Sequence, residues 1–357
     1  MQRGRMKLLY YYTSVDTMRY ILQGANIFAT NLLYMNDAEE YSNGRRELKD
    51  IINFKQGKEL ITEERVKSEI EKEVTSYSIS FSTAKDLLSQ WSMYAGESGV
   101  SLAMEFSEGE KYLAYEPEKK DRTLVSALTI KPKKVHYCTK SVMDDKDYEQ
   151  VREAIWTAIQ ENVSDSRATF DDFEGNLDYF WTEMTPYVKR YEFSADEEYR
   201  LVFDWTQLLE RFRIDYRNDR NVLKPYLDIQ CEGGWPIREI TVGPGFNQEV
   251  VYRSIIHFLK HSNIKVPELS GEKFLEQCTR YLDSCGNMPN EVKEIWEEKK
   301  DALNIDDKRE RYNIFWSIRK SIMSVLKPDD PYKIAMQKKE MTEEGIILSR
   351  SGIPYIF

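Results

Sequence analysis

The segment FSADEEYRLVF (193–203) gathers the groups best suited to acid–base or electrostatic chemistry. If 197–205 is a strand, its two-residue alternation puts Glu198, Arg200 and Val202 on one face and Glu197, Tyr199 and Leu201 on the other. Asp196 then shares the face of Glu198. Two carboxylates on one face repel, which raises the pKa of one of them unless Arg200 compensates. The same pattern suits an edge strand with a solvated acidic face and a Glu198–Arg200 pair. Spacing alone leaves both readings open.

A second candidate is SYSISFSTAKDLLSQWSMYAGESGVSLAMEF (76–106). An alternating strand ends in the hydroxyls Ser80, Ser82 and Thr83 and enters a glycine-punctuated loop carrying Trp91 and Tyr94, after which alternation resumes. Rings and hydroxyls together suit a ligand cleft, although core packing is the commoner use of such rings.

Other constellations are weaker. His257 and His261 are four apart on an expected helix, a spacing that can share a metal. They fall largely off the face marked by Val251, Ile255 and Phe258, and no Glu stands between them as in H-E-x-x-H. Cys278 and Cys285 are seven apart, unlike a zinc knuckle, so a solvated helix is the better reading. No G-x-S-x-G elbow occurs, and His136, in the strand-like KKVHYC, reads as structural. VGPGFNQE (242–249) is a strand-to-helix turn without a P-loop lysine.

The elements that must position these groups follow from periodicity. Strands are expected at 7–14, 75–82, 99–106, 127–137, 197–205, 225–230 and 237–242, and at the end, 345–357. Helices are expected at 15–24, as two surface helices within 40–75, over 144–190, after Asn247 as a cap, and in three patterns across 271–326. The chain is expected to turn at Asn36-Asp37. Strands cluster toward both ends with helical blocks between, an α+β pattern. The expected domains are an α+β core of 1–267 plus 344–357, with 268–343 a helical insertion or subdomain.

Bulk composition narrows the class. The 357 residues carry 51 Lys and Arg against 61 acids, a net charge of −10, so the chain has no global attraction for phosphate backbones. Its basic clusters are short, and a nuclease or nucleotide hydrolase is disfavoured. Four cysteines are too few and too scattered for a disulfide scaffold. No apolar run has the length of a membrane span and no secretory leader is evident, so a cytoplasmic location without membrane contact is expected.

In order, the motifs resemble the bacterial and phage domain-of-unknown-function 2971 family. YYYTS (10–14) stands for its H-Y-T-S strand, NDAEE (36–40) for N-D-P-x-E, SFS (80–82) for C-F-S, and QWSMYAGESGVSLAMEF for its W-S-H-Y-A loop and following strand. DEEYR (196–200) stands for E-x-E-[WY]-R, and VGPGFNQE and SGIPYIF for its V-G-P turn and S-x-I-P-Y end. Tyr11 and Met93 replace the family's two histidines, Ala38 its proline and Asp196 its first Glu. The resemblance spans roughly 8–265 and 345–355 and leaves 268–343 unmatched.

The family is similar in plan to ADP-ribosyltransferases, a fold-level analogy. The resemblance implies an ADP-ribosyltransferase-like split sheet and NAD as substrate, with transfer to a protein or nucleic-acid acceptor or hydrolysis of NAD. It further implies a toxin-type effector in anti-phage defence. By the same resemblance Glu198 and Asp196 are the catalytic carboxylates. Tyr11, Tyr12, Thr13, Ser80, Ser82, Trp91, Tyr94 and Arg200 hold NAD. Glu198 would stabilise the oxocarbenium-like centre formed as the N-glycosidic bond breaks. Because Met93 cannot donate a hydrogen bond, the alternative is a non-catalytic sensor of a nucleotide or protein on the same fold.

Overall fold

Aromatic and β-branched residues at a two-residue period make LYYYTS and SYSISFS strands, and GVSLAM and IREITV are strands buried along their whole length, Arg238 and Glu239 included. The computed structural model describes residues 8–353 except 25, 36–38, 71–73, 97–98, 108–109, 116–121, 125–129, 163–173, 175, 205–212 and 220. The turn expected at Asn36-Asp37, Ala38 of NDAEE and the last four residues of SGIPYIF lie outside the described residues. The architecture is α+β. The chain forms two compact units that alternate along it, cut at 25/26, 83/84, 106/107 and 231/232 rather than at 267/268 or 343/344.

Unit 1 holds Met1–Ala25, Ala84–Phe106 and Glu232–Phe357. Its sheet runs Glu340–Met341, Ile347–Arg350, Ile237–Val242, Gly99–Met104, Leu9–Ser14. The Ile237–Val242 and Ile347–Arg350 strands are parallel and the other neighbours antiparallel, so this sheet is mixed. The strand expected at 345–357 is confined to Ile347–Arg350. The helices Gly271–Asp283, Asn290–Lys299, Lys308–Val325 and Pro331–Gln337 share one core with Met341 and Ile347 of this sheet. Of the Phe315, Ile318, Ile322, Met323 and Leu326 stripe that the helical pattern at the end of 271–326 predicts, all but the partly buried Met323 are buried there. Asn247 precedes helix Gln248–His261 but makes no side-chain cap, and the buried stripe of that helix is Tyr252, Ile255 and Leu259.

Unit 2 holds Asn26–Thr83 and Ser107–Cys231. Its antiparallel sheet runs Glu198–Asp204, Ser76–Ser82, Ile27–Asn31, Val222–Cys231. Helices Glu40–Gln56, Glu63–Ile70, Asp145–Asn162 and Leu177–Met184 enclose a second core around Ile51, Ile155, Phe180 and Trp181. The first of these is not the surface helix its charge suggests: Glu40, Tyr41, Gly44, Arg45, Leu48, Ile51 and Ile52 are all buried. Of the strand expected at 127–137, residues 127–129 lie outside the described residues, and the rest holds the short strands Lys133–Lys134 and His136–Tyr137, the latter pairing in parallel with Val188–Lys189. No described helix is long and apolar enough to cross a membrane.

Candidate functional site

The acidic strand begins at Glu198, not earlier. Residues Tyr191–Asp196 form a 3₁₀ turn, and Glu197 takes the left-handed conformation at φ 44°. Asp196 therefore does not share a strand face with Glu198 by alternation. The two carboxylates meet all the same, because both reach the ammonium of Lys189 at 3.0 Å.

Lys189 is one hub of a buried ion cluster and Arg200 is the other. Arg200 donates from Nε to Glu198 Oε1 at 2.7 Å and from Nη2 to Glu198 Oε2 at 3.0 Å, a bidentate grip. Its Nη1 donates to the Pro186 carbonyl at 2.8 Å, and Nη2 lies 2.5 Å from Glu40 Oε1. Glu40 Oε2 is 3.7 Å from Lys189, whose ammonium also sits over the Phe193 ring. Tyr137 Oη accepts the Glu198 backbone N–H at 2.7 Å. The Glu198 side chain is only 7% exposed and that of Arg200 1%.

Two cations thus serve three carboxylates. Burial pushes the Glu198 carboxyl up, but Arg200 and Lys189 more than offset it and hold it well below the usual carboxylate range. Compensation by Arg200, one branch of the sequence reading, is what occurs. Burial also works against the charge on Lys189, and Glu198 and Glu40 overcome it, so Lys189 stays charged. Neither Lys189 nor Glu40 was singled out as a site residue. Glu40 sits in NDAEE on a charged helix and Lys189 beside Arg190 in YVKRYEF, so nothing in the sequence sets either apart from the charges around it.

The hydroxyl strand is the neighbour of the carboxylate strand. Ser82 pairs with Glu198 and Ser80 with Arg200 in antiparallel register, so these four side chains share one face. Ser82 Oγ donates to the Asp196 carbonyl at 2.7 Å, and Thr83 Oγ1 donates to the Glu197 carboxylate. Unit 2 therefore brings together Ser80, Ser82, Asp196, Glu198 and Arg200.

The remaining sequence candidates belong to unit 1. Tyr12 is buried, donating its hydroxyl to the Ala84 carbonyl at 2.7 Å and accepting from Leu87 N at 3.2 Å. Burial pushes that phenol up to about 12. Trp91 is 2% exposed, meets Tyr12 edge-on at 4.7 Å between ring centres, and donates from Nε1 to Asp86 at 2.7 Å. It stacks over Gly243, where a Cβ would come within 2.8 Å of the indole. The stretch Trp91–Ala95, expected as a loop, is a π-helical turn. Asp86 also accepts from Ser351 Oγ at 2.6 Å and from Gly352 N at 2.8 Å. Thr13 is buried beside Val100, Tyr11 is half-buried, and Met93 and Tyr94 are exposed.

Beside the ion cluster, unit 2 has a cavity of about 110 Å³. Helix Glu40–Gln56 contributes Asn43, Gly44, Arg46 and Glu47, and the facing segments contribute Cys138, Thr139 and Val188 to Arg190. Gly44 lets the helix approach, since a Cβ there would lie 2.8 Å from the Val188 carbonyl. The cavity is well below the roughly 300 Å³ at which sites for drug-sized molecules begin.

Of the other groups, His136 is drawn down to about 4 by burial and by Lys134, so it is neutral at pH 7. Burial pushes the Cys138 thiol up, which makes it a poor nucleophile. His257 and His261 are exposed, with ring centres 4.5 Å apart, and no cluster of three metal-ligating side chains occurs among the described residues.

No family model, curated protein or solved structure matches the chain.

Proposed function

We propose that the chain is a non-catalytic binding protein on an ADP-ribosyltransferase-like plan, recognising a nucleotide or a protein in conflict between bacteria and phages. One observation carries this reading: both oxygens of the Glu198 carboxylate are already taken, by Arg200 and Lys189, at 2.7–3.0 Å. A carboxylate stabilises a developing oxocarbenium centre through a field directed at it and through free lone pairs for the ribose. Here two cations neutralise that field at close range. Trp91 and the Tyr12 hydroxyl, assigned to NAD by the resemblance, are likewise committed to internal contacts. Met93 in the family's histidine position fits the same reading.

The second reading is an enzyme that consumes NAD. The register that sets Ser82 opposite Glu198 and Ser80 opposite Arg200 favours it, since hydroxyls and a carboxylate on one face are what that chemistry uses.

The test is nicotinamide release from NAD by the purified chain, with and without a cell lysate as acceptor source, for wild type and Glu198→Gln. The binding reading expects no release from either protein. It expects the variant to lose about 3 kcal/mol of stability by urea unfolding, as when one partner of a buried ion pair is removed. Release by wild type that disappears in a folded Glu198→Gln protein establishes the enzyme instead.

A further inference from the structure

The antiparallel sheet of unit 2 continues past Val222–Cys231 to the strand Ile214–Asp219, which is paired on one side only among the described residues. The outer edge of such a strand offers a row of main-chain N–H and C=O groups to another strand. Tyr216, Arg217 and Asn218 are exposed along it. Tyr216 is 63% exposed, and Leu223, opposite Asn218 on the same sheet face, is 66% exposed.

The other face carries charges that alternate in sign at every second position: Arg213, Asp215, Arg217 and Asp219. Contacts along that face agree with the alternation, since Arg213 pairs with Asp215 at 2.5 Å and Lys224, opposite Arg217, pairs with Asp219 at 2.8 Å.

That pattern is complementary to itself read backwards. Two copies related by a two-fold axis normal to the sheet must oppose residues that share a face, so the axis passes through one residue position. Centred on Asp215, the ladder sets Asp215 against its own copy and Arg213 against Arg217. Centred on Arg217, it sets Arg217 against its own copy and Asp215 against Asp219. Centred on Tyr216, every facing charge is opposite: Asp215 meets Arg217 of the second copy, Arg213 meets Asp219, and the two Tyr216 rings meet each other. Centres nearer either end leave most of the strand unpaired.

We propose that this edge joins two copies of the chain, Ile214–Asn218 pairing antiparallel with its own copy about Tyr216. The proposal goes beyond the reading of the ion cluster and does not depend on it. The charges need not be free. Their contacts include Arg213 with Asp215, Lys224 with Asp219, and the exposed Arg217 with the Thr30 hydroxyl at 3.1 Å. Surface pairs of this kind are worth little, so sharing or exchanging them across the axis costs little. The charges set the register, while main-chain hydrogen bonds and burial of Tyr216 supply the affinity. So short a ladder covers a small area, and the dimer dissociates on dilution.

The test is sedimentation velocity of the full chain from about 2 to about 200 μM at fixed ionic strength. Wild type is compared with Asp215→Arg, with Arg217→Asp and with an equimolar mixture of the two, each variant shown to be folded by urea unfolding. Wild type is expected to pass from monomer to dimer across this range. Either substitution alone sets like charges opposite each other at two places and should weaken self-association about tenfold or more. In the mixture those charges are opposite in sign again, so dimer should return close to the wild-type level. Wild type that stays monomeric at the highest concentration overturns the proposal. So do folded single variants that dimerise like wild type, or a mixture in which dimer does not return.

Discussion

Arg200 grips Glu198 from two residues along the same strand, closing bonds of 2.7 and 3.0 Å to its two carboxylate oxygens. Neighbours at this spacing project in parallel from one sheet face, so the arginine must bend back along the strand to meet the carboxylate edge-on. With Lys189 and Glu40 closing around them, the pair acts as a clamp between the Glu198–Asp204 strand and the Glu40–Gln56 helix.

That clamp makes the fold acid-sensitive in a defined window. Glu198 titrates lower in the folded chain, about 2, than its ordinary value of 4.5. Between those values the unfolded chain binds more protons, so stability rises with pH there and is lost as pH falls through the window. Urea midpoints measured from pH 6 to pH 2.5 should fall steeply below about pH 4.5. In Glu198→Gln/Arg200→Met, which has no such pair, the fall should be shallower.

Gly44→Ala sets two effects against each other. Alanine gains about 1 kcal/mol over glycine in a helix interior. The new Cβ, however, would lie 2.8 Å from the Val188 carbonyl and 3.2 Å from that of Thr185. Both atoms are backbone, which cannot swing aside, and overpacking of this kind costs about 1–3 kcal/mol. A net loss of about 1 kcal/mol is expected; a rise in thermal midpoint would show that the helix slides freely over this strand.

Asp86 holds three donors that no other described carboxylate serves: the Trp91 indole, the Ser351 hydroxyl and the Gly352 amide. Asp86→Ala leaves the buried indole N–H without its partner, a loss of about 2 kcal/mol. It should also speed tryptic cleavage after Arg350. Asp86→Asn, which keeps one acceptor oxygen, should recover about half of the stability. Unchanged cleavage in Asp86→Ala would mean that Ser351 and Gly352 are held by other contacts.

The sequence carried the strands well because alternation is a local signal. The strand at 76–82 and the one starting near 198 lie within a residue of where SYSISFS and EEYRLVF place them. It failed at Asp196, because a 3₁₀ turn rich in aromatic and acidic residues has no periodicity to separate it from the strand it joins. Glu40 and Lys189 were missed for a different reason. Glu40 is one of several charges on its helix and Lys189 stands next to Arg190, and only tertiary packing brings them to Glu198. Trp91 was read as a cleft ring because a Gly-flanked aromatic segment looks like a loop; its π-helical turn instead points the indole at Tyr12 and Gly243.

The parallel pairing of Ile237–Val242 with Ile347–Arg350 has a consequence for synthesis. More than a hundred residues, including five α-helices, separate the two partners, so one edge of Ile237–Val242 stays unpaired while they are made. Such an edge is a template for pairing with the wrong chain, and closing so long a loop is slow. The ribosome-bound intermediate of unit 1 is therefore the stage at which this protein most needs shielding, and poor yields on rapid overexpression should trace to that delay.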